Sequence, residues 1–238
     1  LKNLKQKFKM KKLIAFSCLL IASLLSSCAT VKNLFTAQDA EMAIREMLSI
    51  GSTTGANALG KKGMISKETL MSAIFPEELK PVLNTLETLG LSKEVNRFTA
   101  TLGTAAEATA EKSVPVFLLG IKKMNIKDAV SIVKNGGTSA TDYLRKTIGD
   151  SLRKAIIPAM NIALDEYKLT SEWKKITAPA QLFAGDKLNL DLGNLMSGLV
   201  ANLMFNKIVE KEIEIRTRAE ARTSNLLKKV FSSPISKL

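Results

Sequence analysis

Residues 192–206 constrain the fold more than any other stretch: fifteen residues without one charged side chain. Leu195, Met196, Leu199, Val200, Leu203, Met204 and Phe205 point almost all round a helix, and a helix that is apolar on every side must be buried. At 1.5 Å per residue the run spans about 22 Å, short of a bilayer core of about 30 Å. It predicts a buried central helix near residues 191–215, one that other helices have to cover.

The rest of the chain supplies those covers. Thr36 is placed to cap a helix whose apolar positions, Ala40, Ala43, Ile44, Met47 and Leu48, fall on one face. Gly51 and Gly55 interrupt it, each at a cost of up to about 1 kcal/mol against alanine. Their presence points to a close helix crossing. Residues 64–75 show no clear period. Pro76 opens a helix that stops at Gly90, Ser92 caps the next, and Pro115 starts another. Asn125 then caps a helix closed by Asn135-Gly136-Gly137. Two further elements follow, one through Tyr143 and Leu144 and one from Asp150 to about Lys168, kinked at Pro158. A short piece carries Trp173, residues 178–191 read as irregular, and a last helix covers 219–231. No strand pattern or repeat is present. The fold class is all-α, a single compact multi-helix domain.

At the other end, residues 10–28 have the form of a secretion signal. Lys11 and Lys12 give a basic start, residues 13–25 an apolar run, and Ser26-Ser27 small residues before a cut. Leu25-Ser26-Ser27-Cys28 resembles the bacterial lipobox. That resemblance implies diacylglyceryl transfer to the Cys28 thiol, cleavage before it, and acylation of the new amino terminus, as by palmitate. The run is too short for a permanent membrane span, which needs about 20 apolar residues. Translation is expected to start at Met10 or at a non-standard codon for Leu1. The expected organisation is therefore a signal peptide at 1–27, a lipidated tether at 28–36, a helical domain at 37–231 and a tail at 232–238. An extended tether from Cys28 to Phe35 reaches at most about 26–29 Å, which holds the domain close to its bilayer.

Cleavage would leave 211 of the 238 residues, and six lysines would leave with residues 1–27, taking the formal net charge from +13 to +7. With no histidine anywhere, a Ser-His-Asp triad and a histidine-ligated zinc site are both impossible. Cys18 and Cys28 are the two cysteines, so the body has no disulfide and no free thiol nucleophile. Composition thus argues against an enzyme, and nothing calls for a cofactor or metal. Nucleic-acid binding is disfavoured in an exported chain without an aromatic-basic motif.

Four blocks support a family resemblance. Residues 212–216 (Glu-Ile-Glu-Ile-Arg) followed by 221–231 resemble the C-terminal signature of the bacterial domain of unknown function 4197. Ala140-Thr141-Asp142-Tyr143-Leu144-Arg145 is similar to its Ala-Thr-x-Tyr-Phe-Arg block. Ala105-Ala106-Glu107-Ala108 is similar to its Asn-Arg-Ala-Ala-Glu-x-Ala block, and Ile74-Phe75-Pro76 to its Ile-x-x-Pro region. The similarity covers residues 37–231. Gly103-Thr104 stands in place of the Asn-Arg pair, and Arg218-Ala219 in place of an acid-proline pair. The resemblance implies a helical, frequently lipid-anchored envelope protein, and it implies no reaction.

The candidate site residues are Cys28 for lipidation and a polar set of Glu107, Asp142, Tyr143, Arg145 and Arg216. Glu107 and Glu111, four apart on one helix face, read as an exposed acidic face ahead of a proton-sharing or cation-binding pair. Arg145 is expected to pair with a carboxylate such as Glu107 and fix helix packing, ahead of a ligand role. Arg216, Arg218, Arg222, Lys228 and Lys229 read as a solvated basic face ahead of a surface for phospholipid head groups. The expected location is the envelope of a Gram-negative-type bacterium, on the outer membrane facing the periplasm, since Ala29 follows the cysteine. The membrane is the expected partner through Cys28, with another envelope protein or an apolar ligand between the helices as further partners.

Overall fold

The computed structural model describes residues 35–188 and 190–233, so the signal segment and Cys28 lie outside the described residues. Among the described residues there is no strand, and the helices pack in one domain. They run α1 (Ala37–Leu59), α2 (Lys67–Ile74), α3 (Lys80–Thr88), α4 (Ser92–Lys112), α5 (Val114–Lys123), α6 (Ala129–Asn135), α7 (Ser139–Glu166), α8 (Leu169–Thr177), α9 (Gln181–Ala184), α10 (Leu192–Thr217) and α11 (Asn225–Phe231).

The apolar stretch is the centre of the molecule, as its composition requires. Helix α10 packs most extensively on α1 at one side and α7 at the other. Its buried stripe is Met196, Val200, Met204, Ile208 and Ile215, all without exposed surface. The α1 contact is made through the two glycines. A Cβ built on Gly51 would lie 3.2 Å from Ile208 Cα, and one on Gly55 would lie 2.6 Å from Lys207 Cβ. The helices approach so closely only because those positions lack a side chain. Around this centre, α4 packs on both α7 and α1. Trp173 of α8 sits against Phe75 and Phe98, with ring centroids 5.5 and 5.4 Å away.

Helix α1 starts with a reciprocal cap: Asp39 N donates to Thr36 Oγ1 at 3.0 Å, and Thr36 N donates to Asp39 Oδ2 at 2.8 Å. The same carboxylate oxygen accepts from Lys229 Nζ at 2.7 Å, tying the start of α1 to α11 near the end of the chain. The Lys229 ammonium, helped by the Thr36 amide, holds the Asp39 carboxyl down at about 2, below the ordinary aspartate range.

The structure departs from the sequence-based boundaries where side chains from elsewhere intervene. Residues 67–74 are helical, capped by Ser66, which accepts from Thr69 N at 3.2 Å. Ser92 is the first helical residue of α4 rather than its cap. Asp128, not Asn125, caps α6 by accepting from Ser131 N at 3.2 Å. The two elements expected on either side of Asp150 are one helix, α7, which runs through Pro158. Proline removes the bond to the carbonyl of Lys154; both residues are exposed, so water can satisfy that group. Residues 178–188 form short helical turns instead of an irregular loop. The last helix is confined to α11, after a break at residues 222–224.

Two outcomes follow from this packing. Gly55→Ala gains about 1 kcal/mol in helix propensity but forces α1 from α10, an overpacking cost of about 1–3 kcal/mol. Chemical denaturation should show net destabilisation. Gly198→Ala, whose added methyl would meet only Arg153 Cδ at an ordinary 3.6 Å, should be neutral or stabilising. The second outcome concerns pH. A carboxyl lowered by folding contributes stability above its unfolded value of about 4, and that contribution fades as pH falls towards 2. Asp39→Asn should therefore be less stable than the natural chain at neutral pH, and acid titration should show the two converging near pH 2.

Candidate functional site

The charged groups that the fold treats most carefully lie where α10 meets the α6–α7 turn. Glu212 continues the apolar stripe of α10 four residues after Ile208 and is completely buried. Its carboxylate faces the first turn of α7. Oε1 accepts from Ala140 N at 3.0 Å, and Oε2 accepts from Thr141 N at 2.8 Å and Thr141 Oγ1 at 2.6 Å. These backbone donors have no partner within their own helix, and the positive end of the helix dipole favours an anion there. Thr138, the residue before α7, provides no side-chain cap, so Glu212 takes that role from another helix.

Arg216, one turn on, is its counter-ion, with Nε 2.9 Å from Glu212 Oε1 and the side chain 5% exposed. The guanidinium also donates to Val133 O at 3.1 Å and Ile132 O at 3.2 Å, carbonyls in the last turn of α6. A further bond reaches Ser139 Oγ at 3.1 Å, and Ser139 itself donates to Ile132 O at 2.6 Å. The ring of Phe231 lies 5.2 Å from the guanidinium carbon. One ion pair on α10 thus holds the end of α6 and the start of α7 together across Gly136 and Gly137. Both glycines take positive φ, 64° and 53°.

Arg222 extends the arrangement. It is buried and donates to Ile215 O and Arg216 O, each at 2.8 Å, closing the end of α10, and to Ser232 Oγ at 3.0 Å. Arg45 does the same at a distance. From α1 it donates to the carbonyls of Ile121 and Lys122 and, at 2.5 Å, of Met124, around the end of α5, while pairing with Glu41. Sequence reading singled out neither Glu212 nor Arg45 as site residues. Glu212 did leave a signal: an acid in register with the buried stripe 196, 200, 204, 208.

The expected polar set is not one cluster. Arg216 belongs to the buried pair just described. Asp142 is exposed in the first turn of α7, accepting from Thr138 Oγ1 at 2.7 Å. Tyr143 donates from its hydroxyl to Asn125 O at 2.6 Å, fastening the α5–α6 loop. Arg145 does not pair with Glu107. It is exposed and lies 4.7 Å over the Phe205 ring, at a groove between α7 and α10 that Lys146 and Arg153 also line. Glu107 is buried on α4, while Glu111 one turn on is exposed, so the two do not form one exposed acidic face. The basic C-terminal patch is also corrected. Arg216 and Arg222 point inward, Lys229 pairs with Asp39, and Arg218 pairs with Glu220 at 2.8 Å. The distribution follows from helix ends: unpaired carbonyls attract any guanidinium that can reach them.

Chemically, the Glu212–Arg216 pair is closed. The carboxylate oxygens are met by three α7 donors and the guanidinium, and none of its surface reaches solvent. Among the described residues no group of three or more carboxylates and cysteines is placed to hold a metal ion, and no helix is long and apolar enough to cross a membrane. Removing one partner of a buried pair strands the other charge, so Glu212→Leu and Arg216→Met should each cost about 3–5 kcal/mol. The double variant should cost less than the two together, a coupling that a double-mutant cycle in urea measures.

The family described as "Protein of unknown function (DUF4197)" matches residues 34–232, nearly all of the described body. No curated protein and no solved structure matches the chain.

Proposed function

We propose that this chain, which belongs to the DUF4197 family, is a non-enzymatic, lipid-anchored protein of the bacterial envelope whose helical body serves as an interaction module beside the membrane. The observation that carries this reading is the spacing between the lipobox-like cysteine and the folded body. Phe35 is already part of the core, 7% exposed, and the α1 cap begins at Thr36. Only residues 28–34 separate an acylated Cys28 from the packed domain, a reach of at most about 23–25 Å. A diacylglyceryl group on Cys28 would therefore keep α1 and its neighbours near the head groups of one leaflet.

The chemistry of the body supports a module over an enzyme. The chain has no histidine, and its one cysteine after the signal is the expected anchor. The buried Glu212–Arg216 pair is saturated by helix ends and so favours fixing the packing of α6, α7 and α10. Ala29 after Cys28 favours the outer membrane. A helical body whose Glu212–Arg216 joint is committed to packing presents its outer faces to a partner.

Cys28→Ala with membrane fractionation and mass spectrometry tests the anchor. The natural chain should sediment with membranes and carry acyl mass on residue 28, and the variant should lose both. Membrane association unchanged in the variant, with no acyl mass on the natural chain, would overturn the proposal.

A further inference from the structure

Away from the α6–α7–α10 junction, the structure has a second buried carboxylate whose partners are incomplete. Glu107 on α4 is 5% exposed. Its Oε1 accepts one long hydrogen bond, from Ile65 N at 3.3 Å. Among the described residues no other hydrogen bond and no ion pair reaches it. A carboxylate offers about four acceptor positions, so one long bond leaves the others free for a ligand on the open side. Glu212 shows how this fold completes such a group; Glu107 is left open.

The open side faces a cavity of about 230 Å³ between α4, α2 and the loop after α1. Along α4 its wall is Asn96, Ala100, Gly103, Thr104 and Glu107, one stripe of the helix. Gly103 and Thr104 keep the wall low: even a methyl on Gly103 would lie 3.0 Å from Leu70 Cδ1. Both positions also depart from the family block the chain resembles. Ile65 and Leu70 make the opposite side apolar, and both are buried. Lys62 and Lys67 line the same cavity and are exposed, so their ammonium groups remain available at its mouth.

We infer that this cavity binds a small zwitterion, with the ligand ammonium on Glu107, its short apolar frame against Ile65 and Leu70, and its carboxylate toward Lys62 and Lys67. The charge order selects the ligand. A simple amine satisfies Glu107 but meets two lysines, and a simple carboxylate satisfies the lysines but meets Glu107. A molecule carrying both charges answers each. The exposed Asn96 amide adds a donor and acceptor. The inference is independent of the anchor at Cys28.

Isothermal titration of the purified full-length chain tests it, using leucine and 6-aminohexanoate as zwitterions of two lengths, with hexylamine and hexanoate as single-charge controls. At least one zwitterion should bind saturably, at least tenfold more tightly than either control. Glu107→Gln should weaken binding at least tenfold. Ala100→Trp, a change on the exposed lip of the cavity, should block it without lowering the melting temperature. If Glu107→Gln fails to fold, Ala100→Trp decides alone. Absence of saturable heat with both zwitterions would overturn the proposal. So would hexylamine binding as tightly as they do, or undiminished binding by the Ala100→Trp chain.

Discussion

A single carboxylate, Glu212, determines how the second half of the domain is assembled. Burying an ion costs several kcal/mol, and the cost is offset only where every polar atom finds a partner. Here Ala140, Thr141 and Arg216 supply those partners, and Arg216 in turn closes α6 through Ile132 and Val133. The pair sits on the central helix, so the register of α10 sets where two other helices end and begin. A shift of one residue along α10 would carry Glu212 off the stripe and leave both helix ends unmet.

The glycine crossing performs the complementary task on the other side of α10. Gly51 and Gly55 let α1 come within van der Waals distance of Ile208 and Lys207, one turn before Glu212. Close backbone approach there and charge pairing at the far end fix the same helix against two neighbours. The arginines repeat one device. Arg45, Arg216 and Arg222 each carry a guanidinium from one segment to the last carbonyls of a helix: α5, α6 and α10 respectively. A cation at a helix C-terminus is favoured by the dipole, and a planar guanidinium can reach two carbonyls at once. Short helices such as α6, seven residues long and marginal in isolation, rely on such closures.

The resemblance blocks acquire a physical reading from this geometry. Ala140-Thr141 and the segment beginning at Glu212 lie about seventy residues apart in the chain and touch in the fold. The Arg222 segment meets the carbonyls of Ile215 and Arg216. Two of the four blocks therefore coincide with one structural joint. The Glu107 block lies instead on the α4 cavity, where the chain carries Gly103-Thr104, and the Ile74-Phe75-Pro76 block packs Phe75 against Trp173.

The sequence by itself determined the all-helical class, the buried central helix, the close crossing at Gly51 and Gly55 and the capped start of α1 at Thr36. Each of these is local: an apolar period, a missing side chain, a cap within three residues of the backbone it serves. It could not reveal which basic side chains turn inward. Arg216 and Arg222 look like part of a basic surface, because their partners are carbonyls whose position depends on where α6 and α10 stop. Arg145 and Glu107 looked like an ion pair, yet they face different sides of the bundle, one over Phe205 and the other beside Ile65. Only the tertiary structure decided these, because a buried charge goes to whichever unsatisfied backbone group packing brings within about 3 Å, and that distance is set by helices remote in the chain.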